Sequence, residues 1–386
     1  MPDAIAGHDH ILLMQLLQRK PQSQSSSHQL RPHPPPSSRV KAPSHSSPSP
    51  TLAAIAATAG VSKSTVSRAL RGHAAIPAAT VLRLTKVAQA LGYRRSPLVG
   101  EVMRRIRGRG HFRGLAPVAY LTFDATPQAW RRQHTFMRFF DGARARAMQL
   151  GLQVEPFWMN EPGLTPQRAA DIFEARGIEA LLVGPTTGWA RVPELEWARF
   201  CAVKVGTPLP GLPLPCACHH HFQGMTLLLA ELARRGYRRP GLVLRDYQEA
   251  KTGGAWSAPL LRHQQQLASA DRVPPLWLKD LSAGVFARWF KRHRPDVVIG
   301  QGNELPAWLE DLGRRVPADT GFADLDCCSP DRAGINQHSP AIGAAAVDLL
   351  LGRLLAHERG LPATGSIFMV EGTWADGPTV RAAPRG

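Results

Sequence analysis

Along residues 51–93 the apolar positions recur three and four apart in three short bursts, and each burst predicts a helix. Thr51 caps the first, with Leu52, Ile55, Ala56 and Ala59 turned inward. Gly60 then sits in a tight turn that needs a residue tolerant of positive φ, and Val61 drops into the core beneath it. Ser62 caps a second helix, on which Val66, Ala69 and Leu70 share one face while Lys63, Ser64, Ser67, Arg68 and Arg71 occupy the other. A third helix over 77–91 carries Val81, Leu84, Ala88 and Leu91 at helical spacing, with Gly92 as its stop. An outward face of short hydroxyls and basic groups suits the major groove of DNA, because hydroxyls permit close approach and Arg or Lys donates to guanine O6 and N7. On a small bundle of another kind the same face would simply be solvated.

The residues Thr51-Leu52, Ala56, Ala59-Gly60-Val61-Ser62, Thr65-Val66-Ser67-Arg68, Leu70 and Leu91-Gly92-Tyr93 resemble the helix-turn-helix headpiece of the LacI/GalR family of bacterial transcription regulators. Carried over position by position, the resemblance implies base reading by Lys63, Ser64 and Arg68 and phosphate contacts from Ser62, Thr65 and Ser67, with Arg71 adding charge beside them. Three positions depart from the family pattern: Ala54 replaces a common acidic residue, Arg71 a usual Asn, and Pro77 a usual Ser or Thr cap. None of these removes a base reader.

Before the headpiece, residues 1–50 are rich in Ser, Pro, His and Gln with no apolar periodicity after Leu17, which predicts a disordered tail. After it, Ser96 and Pro97 suit a helix start, and Leu98, Val102 and Ile106 then share a face. In the resembled family this stretch, 96–115 here, is a hinge that pushes an apolar wedge into the minor groove. That wedge falls on Val102, with Met103 beside it, although the usual Ala-Arg-x-Leu pattern is missing. A plain basic linker helix is the alternative.

From residue 116 apolar, β-rich runs alternate with helical stretches. Strands are predicted at 118–123, 152–158, 180–183 and 201–205, with helices at 134–150 and 166–176. The order repeats after His219, with strands at 241–244, 275–278, 296–300 and 321–325 and helices at 222–235, 256–267, 283–293 and 304–313. Such alternation predicts an α/β domain over 116–380, made of two doubly wound parallel sheets as two lobes, with a ligand at the carboxyl ends of the strands. Pieces such as Arg235-Gly236-Tyr237, Arg315-Val316-Pro317-Ala318-Asp319-Thr320-Gly321, Ala333-Gly334-Ile335-Asn336-Gln337 and Trp374-Ala375-Asp376-Gly377 also resemble the same family, whose effector domain has a type I periplasmic-binding-protein-like fold. The resemblance implies chain crossings near Cys218, Asn336 and Leu361. It also implies effector contacts from Asp124, Thr126, Gln301, Asn303, Asp326 and Gln337, with Trp189 or Trp256 as stacking faces. The family's effector-binding Arg, in a Ser-x-x-x-Arg-x-x-Gly context, is missing, and Lys251-Thr252-Gly253-Gly254 stands in its neighbourhood.

Charge sharpens the picture. The formal net charge is +18, and residues 1–115 hold 17 Lys/Arg against 3 Asp/Glu, whereas the remainder is nearly balanced at 30 against 26. Basicity concentrated at one end predicts a polyanion-binding module joined to a near-neutral domain, and favours nucleic acid over a membrane surface. Five cysteines do not form a secreted disulfide framework, and no apolar run reaches membrane-spanning length. A cytoplasmic bacterial protein, nucleoid-associated when on DNA, is expected.

Cys216-Ala217-Cys218-His219-His220-His221 offers five metal-ligand types in six residues, yet neighbours on a strand point to opposite faces and no distant second pair exists. No metal and no cofactor are therefore expected. Gly60-Val61-Ser62-Lys63-Ser64 lacks the glycine spacing of a phosphate loop, and no Gly-x-Ser-x-Gly elbow occurs, so catalysis has no positive support. The expectation is a non-enzymatic homodimeric regulator, a repressor by family habit. It would read a pseudo-palindromic double-stranded operator and respond to a small-molecule effector, a sugar or related metabolite. The competing class is a small-molecule-binding protein or enzyme whose helix-turn-helix serves protein contacts. Removing residues 1–48 is expected to leave specific DNA binding nearly intact; a large affinity drop in a gel-shift series would show that the tail participates.

Overall fold

A computed structural model of the chain describes residues 52–70, 76–91, 116–187, 192, 194–280 and 282–383. The expected Thr51 cap, Arg71, the Gly92 stop, Trp189, the tail 1–50 and the segment 96–115 with Val102 and Met103 lie outside the described residues.

Three helices, α1 (Leu52–Ala59), α2 (Lys63–Ala69) and α3 (Ala78–Ala90), enclose a small core of Ile55, Ala56, Val66, Ala69, Leu84 and Ala88. Gly60 adopts φ +64 between the first two, as the turn requires. Pro77 begins α3 without any side-chain cap, so the helix start rests on Thr80 and Val81 donating to the Pro77 carbonyl at 2.9 and 3.1 Å.

The rest of the chain begins with β1 (Ala116–Thr122), α4 (His134–Leu150), β2 (Leu152–Trp158), α5 (Pro166–Ala175), β3 (Ala180–Val183), β4 (Cys201–Val205) and β5 (Cys216–His219). It continues through α6 (His221–Arg234), β6 (Pro240–Arg245), α7 (Asp246–Thr252), α8 (Ser257–Gln265), β7 (Leu276–Leu278), α9 (Ala283–His293), β8 (Val297–Gly300), α10 (Glu304–Asp311), β9 (Gly321–Asp324) and β10 (Ala333–Asn336). Helix α11 (Ser339–Leu355), β11 (Ile367–Val370) and β12 (Thr373–Ala375) follow. Two six-stranded sheets result, ordered β11-β5-β4-β3-β1-β2 and β12-β10-β9-β8-β6-β7. Every pairing is parallel except β10 with β12.

Parallel strands covered on both faces must be apolar on both, and alternate residues here feed separate cores. In β1, Val118 and Tyr120 pack with Phe139, Phe140, Ile342 and Leu350, whereas Ala119 and Leu121 pack with Phe173, Phe200 and Trp197. In β6, Leu242 and Leu244 join Leu228, Leu232 and Trp256, while Val243 joins Phe286, Phe290 and Leu309. Helix α11 follows β10 of the second sheet but packs on the first, so the chain crosses between lobes three times: after β5, after β10 and between β11 and β12. The first two crossings lie where the resemblance implied. The third is at Glu371-Gly372 rather than near Leu361, because β11 first adds to the edge of the first sheet.

The crossings converge on one buried imidazole. His219 Nδ1 lies 3.2 Å from the Val370 carbonyl, and a Cβ added at Gly224 would fall 2.5 Å from His219 Nε2. A Cβ at Gly372 would fall 2.8 Å from His219 Cε1 and 2.7 Å from Ile335 Cγ2. Only glycine fits at either place. Gly224→Ala should destabilise the protein despite alanine's helix preference of about 1 kcal/mol, since forcing atoms into a filled junction costs about 1–3 kcal/mol. A lowered urea midpoint is the expected reading; an unchanged or raised midpoint would contradict the close packing.

Candidate DNA-reading helix and ligand cleft

Ser62 has extended backbone (φ −68, ψ 150), and its hydroxyl accepts the Thr65 N–H at 3.1 Å. Its oxygen also lies 2.7 Å from Ser64 Oγ and 2.8 Å from Thr65 Oγ1, so the start of α2 carries a cluster of three linked hydroxyls. Val66 and Ala69 are buried while Lys63, Ser64 and Arg68 are exposed, so the base-reading candidates share the open side of the helix. Thr65 and Ser67 are half-buried at the margin of that side. A hydroxyl that accepts one bond can still donate another, which leaves Ser62 and Thr65 able to meet a phosphate oxygen.

Between the lobes lies a cavity of about 770 Å³, lined from the first lobe by Thr135, Phe136, Phe139, Thr186 and Gly206 and from the second by Arg245, Tyr247, Lys251, Glu304, Asp324 and Arg332. Of the sequence candidates, Gln301, Asn303, Asp326, Gln337 and Trp256 line it. Most are already engaged. Gln301 Oε1 accepts from Gln248 Nε2 at 2.8 Å, Asn303 Oδ1 from Arg332 Nη2 at 2.7 Å, and the Gln337 amide donates to the Leu325 carbonyl at 2.7 Å.

Asp124 and Thr126 are not among the residues that line the cavity. Asp124 is buried beneath the loop, accepting from Thr187 Oγ1 at 3.1 Å, with its carbonyl taken by Trp158 Nε1 at 2.8 Å. Thr126 is exposed in a turn, its carbonyl accepting the Ala129 N–H. The part of this loop that does line the cavity is residues 132–135, further along the chain.

Residues that sequence reasoning missed include Arg245 and Asp324, which end β6 and β9. They occupy the carboxyl-end positions where doubly wound sheets present ligands, a rule that could have found them. Asp324 pairs with Arg332 at 3.1 Å and accepts the Asp326 N–H at 3.0 Å; burial raises its pKa and Arg332 opposes that. Asp326 takes a bond from Thr135 Oγ1 across the lobes, its other oxygen has no partner, and burial raises its pKa. A second bridge runs the other way: Lys251 Nζ donates to the Thr186 carbonyl at 2.6 Å and to Thr186 Oγ1 at 3.0 Å. A third contact sets His134 Nδ1 3.3 Å from Cys328 Sγ.

His219, His221 and Trp256 form an aromatic cluster on the cavity wall, with ring centroids 4.9–5.7 Å apart. Because Cys216–His219 is a strand, Cys216 and Cys218 face the opposite side from His219. Among the described residues no group of three or more His, Cys, Asp or Glu side chains is placed to hold a metal ion.

The family model described as "Bacterial regulatory proteins, lacI family" matches residues 51–96. Among curated protein sequences none matches. Solved structures similar to this chain include a transcriptional regulator CelR–cellobiose complex, 18% identical with a TM-score of 0.53, covering 86% of this chain and 99% of the other. A lac repressor dimer bound to operator and the anti-inducer ONPF is also 18% identical, with a TM-score of 0.50 and the same coverage. A LacI-type putative regulator from Bacillus cereus subsp. cytotoxis is 13% identical with a TM-score of 0.52, covering 68% of this chain and 98% of the other. At such identity these likenesses establish the fold: a bilobed α/β architecture with a helix-turn-helix headpiece.

Burial drives the pKa of His219 down to about 4 and that of His221 to about 3, each further lowered by neighbouring imidazoles. Unfolded imidazoles protonate near pH 6.5, so unfolding takes up protons below that pH. Stability should therefore be fully present above about pH 6.5 and fall as pH drops toward about 4. His219→Asn should flatten the fall in a series of thermal melts between those limits; a slope identical to that of the unaltered protein would contradict the assignment.

Proposed function

From the match of residues 51–96 to the lacI-family model, we propose that this chain is a regulator of the LacI/GalR type: a sequence-specific DNA-binding transcription regulator, a repressor in sign, controlled by a small molecule held between its lobes. The observation that carries this reading is the exposed face of α2, with Lys63, Ser64 and Arg68 on a helix that opens on a capped hydroxyl cluster and lies within the matched residues 51–96. That face has the donors needed for base edges, and Ser62, Thr65, Ser67 and Arg71 have those needed for phosphates.

In this reading residues 51–95 are the headpiece, 96–115 the hinge with Val102 and Met103 as the minor-groove wedge, and 116–380 the effector-binding and dimerisation domain. The lac repressor structure named above is a dimer on an operator, and the CelR structure holds cellobiose. By analogy this chain acts as a homodimer on a two-fold symmetric site, and Gln301, Asn303, Asp326 and Gln337 belong to the ligand's surroundings. A ligand that prefers one lobe arrangement over another, by about 1–3 kcal/mol of coupling, would change operator affinity through the hinge.

The protein acts by binding rather than catalysis, in the cytoplasm. Among the described residues no helix is long and apolar enough to cross a membrane. Arg68→Ala should weaken binding to the cognate site by roughly 1–3 kcal/mol and relax the preference at one base position. A titration in which the loss is equal on cognate and random DNA would refute base reading by Arg68.

A further inference from the structure

Two lysine side chains lie near one another beside the cleft, and one carboxylate, that of Asp124, acts on the pair through Lys251. Lys251 lines the cavity and spends two of its three N–H donors on the neutral oxygens of Thr186. Lys204, on β4, is only 1% exposed, and its ammonium donates to the Val205 carbonyl. It stands directly behind the cavity lining, since a Cβ added at Gly206 would lie 3.8 Å from Lys204 Nζ. Neither lysine forms an ion pair among the described residues. The one carboxylate acting on Lys251 is Asp124, whose Oδ1 accepts from Thr187 while its Oδ2 is buried without a hydrogen-bond partner, and it does not line the cavity. The thiols Cys216 and Cys218 are the remaining titratable groups acting on Lys204.

Buried cations are ordinarily paired, and two lysines in reach of one another with a single carboxylate acting on one of them leave a positive excess beside the cavity. Thr186, Thr187 and Thr207 also line this end and add hydroxyls. Asp326 also lines the cavity, and its second oxygen has no hydrogen-bond partner and can accept from a donor.

We propose that the ligand of this cleft is a hydroxylated organic anion, whose carboxylate or phosphate seats against Lys251 in the field of Lys204 while its hydroxyls face Asp326. This rests on the regulatory reading above and adds the charge of the effector to it. The depressed lysines agree with the geometry: burial lowers Lys251 to about 8 and Lys204 to about 7, and each is a group that a bound anion would re-protonate.

The test is isothermal titration of the full chain with glucose, gluconate, glucuronate and glucose 6-phosphate, and with galactose and its corresponding acids and phosphate. At least one acid should bind while its neutral parent binds on the order of tenfold to a hundredfold more weakly, the range expected for a hydrogen bond to a charged group. Gluconate or glucuronate as the binder identifies a carboxylate effector, and glucose 6-phosphate a phosphate. Binding near pH 8 should take up protons, read as a dependence of the enthalpy on buffer ionisation. K251M should remove both the preference and the uptake, and K204M, which keeps side-chain volume, should reduce them. Neutral parents binding as tightly as their acids, no acid in the set binding, or K251M leaving acid affinity unchanged in a protein of normal melting temperature would each overturn the inference. Operator binding by the same samples without sugar tests the regulatory reading separately: its loss would sink that reading, whereas a neutral sugar that alters it would sink only the charge assignment.

Discussion

Everything the two lobes can do relative to each other is constrained by the junction at His219. Three chain segments pass between the sheets there, and Gly224 and Gly372 bring backbone against the imidazole so closely that no side chain fits. A filled junction of this kind resists continuous deformation. The neutral state of His219 belongs to the same constraint, because among the described residues a charged imidazole in that space would have the Val370 carbonyl as its acceptor and no carboxylate beside it.

Away from the junction, polar contacts hold the lobes in the arrangement observed. Lys251 reaches from α7 to Thr186, and Thr135 reaches from α4 to Asp326, and all four residues line the cavity. A ligand entering here competes for these groups, so its binding energy is exchanged directly against cross-lobe hydrogen bonds. That exchange is the differential interaction a regulator needs, since a molecule that binds two arrangements equally shifts neither.

Much of this architecture is legible in the sequence, and what is not has identifiable causes. The headpiece reads clearly because a cap at Ser62, a positive-φ Gly60 and helical apolar spacing all agree. Helix α4, β2, β3, β4 and α9 lie at their expected bounds because an apolar run or stripe defines each. Helix α7 escapes because its seven residues bury none, and its start depends on Gln248 accepting the Arg245 N–H at 3.0 Å. The third crossing escapes because Ile367, Phe368 and Met369 form an edge strand, the only one of the first sheet that follows an excursion to the second. In the cleft, position after a strand indicates which loop approaches the ligand but not how far along it the approach occurs. Of this loop, residues 132–135 line the cavity and Asp124 does not. Lys251 is visible as a departure from the family's Arg, yet its bond to Thr186, 65 positions away, exists only in the folded chain.

The regulatory reading stands or falls with base-order recognition by the exposed face of α2. Selection of random genomic fragments by the purified full-length protein, followed by footprinting of the enriched set, examines it most directly. A shared motif with two-fold symmetry is expected, protected as two half-sites about one helical turn apart or a multiple of it. Enrichment no better than that of unselected fragments, with protection spread evenly along the duplex, would contradict it.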